Sequence, residues 1–177
     1  MARPIQAEPR RFPYFAQDEI QDRIQFPERK VRTMKLNPYL NFPGKCAEAL
    51  DFYVKHLGAK ILVKGTFGEM AVHGAPQNLP PGLKPEHILH ARFQIGDTLV
   101  MASDGPPESC LPMRSAYLAL AVDSNEEAER IYAALTEGGE VFMKMGETFF
   151  AERFGQFRDK FGVNWMVIHE KPMPPRG

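Results

Sequence analysis

The stretch PYLNFPGKCAEALDFYVKHLG, residues 38–58, returns in outline as AYLALAVDSNEEAERIYAALTEGG, residues 116–139. In the first copy a short apolar run, Pro38-Tyr39-Leu40-Asn41-Phe42, precedes a segment that carries Leu50, Tyr53, Val54 and Leu57. In the second copy Ala116-Tyr117-Leu118-Ala119-Leu120 precedes Ala128, Ile131, Tyr132 and Leu135. Apolar residues at i, i+3, i+4 and i+7 form the stripe of a helix with one buried face, and the runs before them have the length of short strands. The copies are offset by 78 residues in the strand and 79 in the helix, which puts a one-residue difference in the connecting turn. Ser124 with Glu127 reads as a capping box, and Gly58 and Gly138-Gly139 stand where a helix ends in a left-handed residue.

Each predicted helix is followed by three strands. In the first half these cover Lys60 to Thr66, Ile88 to Ile95 and Thr98 to Ser103, with Gly96-Asp97 as the turn between the last two. In the second half they cover Glu140 to Met145, Thr148 to Phe157 and Asn164 to His169. Two proline-rich loops, Gly74 to His87 and Asp104 to Pro112, interrupt the pattern. The fold class is therefore α+β: two tandem β-α-β-β-β modules, about 34–104 and 113–170, side by side in a cupped mixed sheet with the helices outside. Two copies of an eighty-residue unit are too few and too long for a solenoid.

Of the 177 residues, 44% are apolar and 25% charged, the balance of a soluble globular chain. Twenty-two basic residues against twenty-two acidic ones leave no net charge, which argues against nucleic acid as a partner because such binding rests on excess Lys and Arg. No run approaches the roughly eighteen apolar residues of a membrane span. Cys46 and Cys110 are too few for a disulfide scaffold or an all-cysteine zinc site, so a reducing cytoplasm is the simplest localisation. Residues 1–33 differ from the rest, with seven basic and five acidic residues, four prolines and no sustained apolar period. They lack the apolar block of a secretory signal and are too acidic for a transit peptide. They read as a flexible leader, as the product of a start codon placed upstream of Met34, or as an arm that packs on a partner. Residues 171–177 read as a Pro-rich tail.

The residues Pro38-Tyr39-Leu40, Cys46-Ala47-Glu48-Ala49, Phe52-Tyr53, Leu57-Gly58-Ala59, Phe67-Gly68-Glu69-Met70, His90-Ala91 and Met101-Ala102-Ser103-Asp104 in the first half resemble those of the PhnB-like branch of the vicinal oxygen chelate superfamily. In the second half Glu147-Thr148-Phe149, Phe154-Gly155, Asp159-Lys160-Phe161-Gly162-Val163 and Trp165-Met166 continue the resemblance, which runs from about Met34 to His169. That superfamily includes glyoxalase, extradiol dioxygenases and bleomycin-binding proteins. The resemblance implies a cup that, in metal-dependent members, holds a divalent ion on four ligands from the first and last strands of each module. Here those positions align with Pro38, Met101, Tyr117 and Met166, and such groups offer a hard divalent cation little. No metal and no other cofactor is expected. Some relatives carry the description 3-demethylubiquinone methyltransferase, but no glycine-rich turn follows a first parallel strand to receive an adenosyl cofactor, and Phe42-Pro43-Gly44-Lys45 does not imitate one.

Period-two alternation groups Met166 with Asn164 and Ile168, Met101 with Leu99 and Ser103, and Tyr117 with Ala119 and Ala121 on the inner face. Met101, Ser103, Asp104, Tyr117, Phe150, Asn164 and Met166 are the expected ligand-binding residues; the same side chains could instead fill the cup as core. His90, mid-strand, is the candidate acid–base group, with a hydrogen-bonded strand histidine as the alternative. Glu69 and Glu147 occupy matching places in the two halves and serve either as its carboxylate partners or in salt bridges. Phe149, Phe150, Phe154 and Phe157 make the seventh strand aromatic, a pocket wall or a dimer contact. Cys46, at a helix N-terminus, could have a lowered pKa. The expected function is metal-independent binding of a small, largely apolar organic ligand by a homodimer; the alternative is a metal-independent lyase or isomerase using His90 with Glu69 or Glu147.

Overall fold

The computed structural model describes residues 34–74 and 78–172, of which those from Leu36 onward form one unit. The expected leader, and the tail from residue 173, lie outside the described residues. The first module runs β1 (Tyr39–Phe42), α1 (Cys46–Leu57), β2 (Lys60–Thr66), a one-turn α2 (Phe67–Ala71), β3 (Ile88–Ile95) and β4 (Thr98–Asp104). The second runs β5 (Leu118–Ala121), α3 (Asn125–Thr136), β6 (Glu140–Gly146), β7 (Ala151–Arg158) and β8 (Asn164–Glu170). This is the expected pair of β-α-β-β-β modules, with the strands in two four-stranded mixed sheets ordered β1-β4-β3-β2 and β5-β8-β7-β6. Among the described residues no helix is long and apolar enough to cross a membrane.

The helices form where the apolar stripe predicts. Cys46, Ala49, Leu50 and Tyr53 bury one face of α1, and Ala128, Ile131 and Leu135 that of α3. Gly58 ends α1 at φ +64°, letting the Ala59 N–H donate to the Tyr53 carbonyl at 3.2 Å. At α3, Ser124 Oγ accepts from the Glu127 N–H at 3.1 Å. The returning half of the expected capping box is absent because the Glu127 carboxylate is held by Arg130 through two bonds of 2.7 Å. The complete box lies at α2, where Thr66 and Glu69 bond each other reciprocally. The seventh strand starts at Ala151, not at Thr148: Thr148 and Ala151 close a turn on each other, which leaves Phe149 and Phe150 outside the strand.

Each sheet has a packed face and an open face. In the first, Leu40, Phe42, Ala91, Phe93, Val100 and Ala102 are buried toward the helices, and their strand neighbours point the other way. The outer strands β2 and β6 leave Leu62, Val63, Phe142 and Met143 exposed, and a bulge interrupts each ladder, between Ile61 and Val63 and between Val141 and Met143.

One core spans both modules, and Asp159 holds it together. Its Oδ2 accepts from Tyr53 Oη (2.7 Å) in the first module and from Trp165 Nε1 (2.8 Å) in the second. Its Oδ1 accepts from the backbone N–H groups of Phe161 and Val163 at 2.9 and 3.0 Å. The turn so wrapped aims Phe161 at Phe42, Phe52 and Tyr53. A second buried carboxylate, Asp104, accepts from the N–H groups of Cys46 and Ile88, both at 2.8 Å, and ties the end of β4 to the starts of α1 and β3. Cys46 lies buried beside it. Desolvation, reinforced by Asp104 and opposed by Lys64, pushes this thiol up to about 12, the reverse of the expected helix-dipole effect.

Tyr53→Phe removes one hydrogen bond to a buried carboxylate and is expected to cost about 1.5–3 kcal/mol, read in urea melts through Trp165, the single tryptophan. Asp159→Ala strands four donors, each costing about 1–3 kcal/mol, and is expected to leave no cooperative transition. Burial, then the Asp159 carboxylate, hold the Tyr53 phenol well above its ordinary value of 10.0. Its contribution is therefore full below pH 10 and is lost as pH rises through the folded value. Tyr53→Phe should shrink the alkaline loss of stability, leaving the part due to Cys46. In native protein at pH 8 a thiol reagent is expected to label Cys110, which is partly exposed, and to reach Cys46 only in denaturant.

Candidate functional site

The open face of the first sheet is set out by strand register. One row across it reads Val63, Arg92, Met101, Tyr39. Beyond it Gly65 is level with His90, and Ser103 with Asn41. Tyr39 Oη lies 3.4 Å from His90 Nδ1 across the diagonal, and Ser103 Oγ donates to Asn41 Oδ1 at 2.9 Å. An imidazole in contact with a phenol is a pair able to pass a proton to a bound molecule. Tyr39 stands in the repeat that reveals the fold, yet only register shows that it shares a face with His90.

The open face of the second sheet is largely apolar. Met166 is level with Ala119 and Gln156, and Ile168 with Ala121 and Phe154. Phe150 packs on Phe149 and Phe154, and Tyr117 on Phe142. The polar groups at its far end are engaged. Arg158 donates to Glu140 (2.8 Å), to Asn164 (3.0 Å) and to the Met113 carbonyl (3.2 Å), with its guanidinium over the Phe142 ring. Asn164 is buried and donates to the Met113 and Ala116 carbonyls, so it fastens the segment before β5.

The other candidates also have internal partners. Asp104 is the clip described above. The Glu69 carboxylate bonds the Thr66 N–H and hydroxyl, which hold its pKa below the usual carboxylate value. Glu147 pairs with Lys171, which lowers its pKa likewise. His90 shares a hydrogen bond with Tyr39, and among the described residues it makes none to either carboxylate. His87 Nδ1 accepts from the Lys84 N–H, and His169 pairs with Asn125 at the start of α3.

Two clefts of about 580 and 560 Å³ occupy equivalent places in the two halves. The first runs along β1 from Tyr39 to Asn41, against the turn from Arg158 to Val163. The second runs along β5, against Pro38 and the turn from Ile95 to Thr98. Of the expected ligand residues, Tyr117 alone lines a cleft, the second. The remainder lie on the open faces or are bound internally.

Of the positions expected to align with a metal site, Pro38, Met101, Tyr117 and Met166, the two methionines lie within strands and each has a register partner. Met101 is level with Tyr39, and Met166 with Ala119, whereas Pro38 lies before β1. Thioethers, a phenol and a methyl group do not fit a hard divalent ion. Among the described residues no three His, Cys, Asp or Glu side chains converge as metal ligands.

A family model described as 3-demethylubiquinone-9 3-methyltransferase matches residues 34–168. Protein YjdN of Escherichia coli is 37% identical over 145 residues, which cover 80% of this chain and 99% of that protein. The crystal structure of PA1353 from Pseudomonas aeruginosa is 38% identical, covers 79% of this chain and 100% of its own, and superposes with a TM-score of 0.67. A Bacillus cereus PhnB protein, a putative 3-demethylubiquinone-9 3-methyltransferase, is 24% identical, covers 77% of this chain and 99% of its own, and shares the fold with a TM-score of 0.65. With a model matched over most of its length, a 37% identical relative and its paired modules, the chain belongs to the PhnB-like family described as 3-demethylubiquinone-9 3-methyltransferase.

Proposed function

We propose that this protein binds a small, largely apolar organic molecule on its open sheet faces without a metal, as a homodimer in which a second copy completes the cup. The pair of open sheet faces supports this. Met101, Met166, Ala119, Ala121 and Phe154 are at least partly exposed there, next to a small set of polar heads, the composition of a small-molecule site. Among the described residues no strand of one sheet pairs with a strand of the other, and β1 and β5 each stand at the edge of a sheet. A second chain could cover both edges and roof both faces. The two cysteines are free, in keeping with a cytoplasmic protein.

The methyl-transfer activity in the family's description implies an adenosyl cofactor, and the residues here do not fit one. The glycine of the first strand-to-helix turn, Gly44, packs on the His87 ring, which a Cβ would approach to 3.0 Å. The turn is filled from within and offers no open cradle for a cofactor.

The contact between His90 and Tyr39 favours a second reading, proton transfer by a metal-independent lyase or isomerase. In it Tyr39 takes the partner role, since Glu69 and Glu147 are engaged elsewhere.

Light scattering is expected to give twice the 20.1 kDa chain mass, and Ala119→Glu to give the single-chain mass with loss of co-purifying ligand in native mass spectrometry. Wild-type protein at the single-chain mass would overturn the shared cup. Incubation of the recovered ligand with wild-type protein in D2O separates the two readings. Deuterium gain that disappears in His90→Ala supports the enzyme, and an unchanged ligand mass rejects it.

A further inference from the structure

The charges on the two sheets are arranged differently. Strands β5 to β8 mix signs, and their arginines are paired: Arg153 with Glu129 and Arg158 with Glu140. Strands β1 to β4 carry Lys60, Lys64, His90 and Arg92 against a single acid, Asp104, which is buried and bonded to two backbone N–H groups. Register puts Lys60, His90 and Arg92 on the open face, whereas Lys64, level with the buried Ala91, lies on the helix side. The open face carries basic groups and no acid of these four strands, in a chain of no net charge.

Arg92 stands at the middle of that face, on β3, with β2 on one side and β4 on the other. Its row neighbours, Val63 and Met101, supply hydrocarbon and no acceptor. Among the described residues its guanidinium makes no hydrogen bond or ion pair. His90, two residues along the same strand, faces the same way about 7 Å off, and Asn41 keeps its amide N–H groups free because Ser103 donates to its oxygen. A guanidinium offers five donors in a planar fork that matches an oxyanion.

Resting on the proposed use of this face for ligand, we propose that the ligand is an amphipathic organic acid. Its oxyanion is held by Arg92, with His90 and Asn41 as further donors, and its apolar body extends over Met101 toward the apolar second sheet. A neutral molecule of the same shape gains the apolar contacts and lacks the ion pair.

A matched pair of fluorescent probes tests this on the full chain: 1-anilinonaphthalene-8-sulfonate and its uncharged parent, N-phenyl-1-naphthylamine. The sulfonate is expected to bind about tenfold or more tighter, the effect of one charge-assisted hydrogen-bond pair, with an advantage that shrinks as salt is raised. Arg92→Gln should bring the ratio of affinities to about one while leaving the affinity for the neutral probe unchanged, which also reports an intact fold. The control Arg153→Gln, whose charge lies on the helix side, should keep the wild-type ratio. Equal binding of both probes, or a preference that survives Arg92→Gln, overturns the acid-specific site and leaves the cup reading standing. Failure of both probes to bind at millimolar concentration overturns both.

Discussion

The Asp159 carboxylate is buried, with about 2% of the residue exposed, and accepts four hydrogen bonds. A charge so placed is stable only while its donors stay in position. That condition fixes the turn between β7 and β8, the Trp165 indole and the Tyr53 phenol relative to one another. The turn delivers Phe161 into the first module, and the phenol belongs to α1, so one anion couples both halves. Helix packing alone would leave the modules free to slide. The carboxylate gives the junction a direction and a register.

Because the modules join through their helix sides, both sheets turn their other faces outward. The residues available to a ligand are then decided by strand register. In the first sheet, register sets Tyr39 beside His90 and leaves Arg92 between two apolar neighbours. In the second, it gathers Ala119, Ala121, Met166 and Ile168 into an apolar surface. The asymmetry lies between two copies of one motif, which gives a repeat fold two chemically different walls.

The fold was legible because burial repeats at short range: α1 and α3 show a 3.6-residue stripe, and the strands alternate. The site was legible only in part. Met101 and Met166 do lie on the open faces, as alternation predicts; His90 lies there too, a facing that the sequence left open. Asp104 and Asn164 share the right strands but are consumed by bonds to N–H and carbonyl groups that are near in space and far in sequence. Asp159 appears in the chain as one more acid in a turn, because its decisive partner, Tyr53, is 106 residues away. The capping box at α2 has the signature Thr66-Phe67-Gly68-Glu69, yet a glycine inside it reads as loop. Arg92 carries a period-two relation to His90 that locates its face; its lack of an acidic partner needs the fold.

The bulges in β2 and β6 bear on how the protein behaves in concentrated solution. A chain with no net charge has little long-range repulsion to keep copies apart, and an outer strand with exposed Leu62 and Val63, or Phe142 and Met143, is a template for further strands. Each bulge breaks the regular spacing of free N–H and C=O groups that such templating needs. Lys60 and Lys64 on one edge, and Lys144 on the other, add a charge that an incoming strand would have to bury. The irregular register of the two outer strands and these three lysines thus oppose edge-to-edge association, and a change that straightened either edge would remove that obstacle.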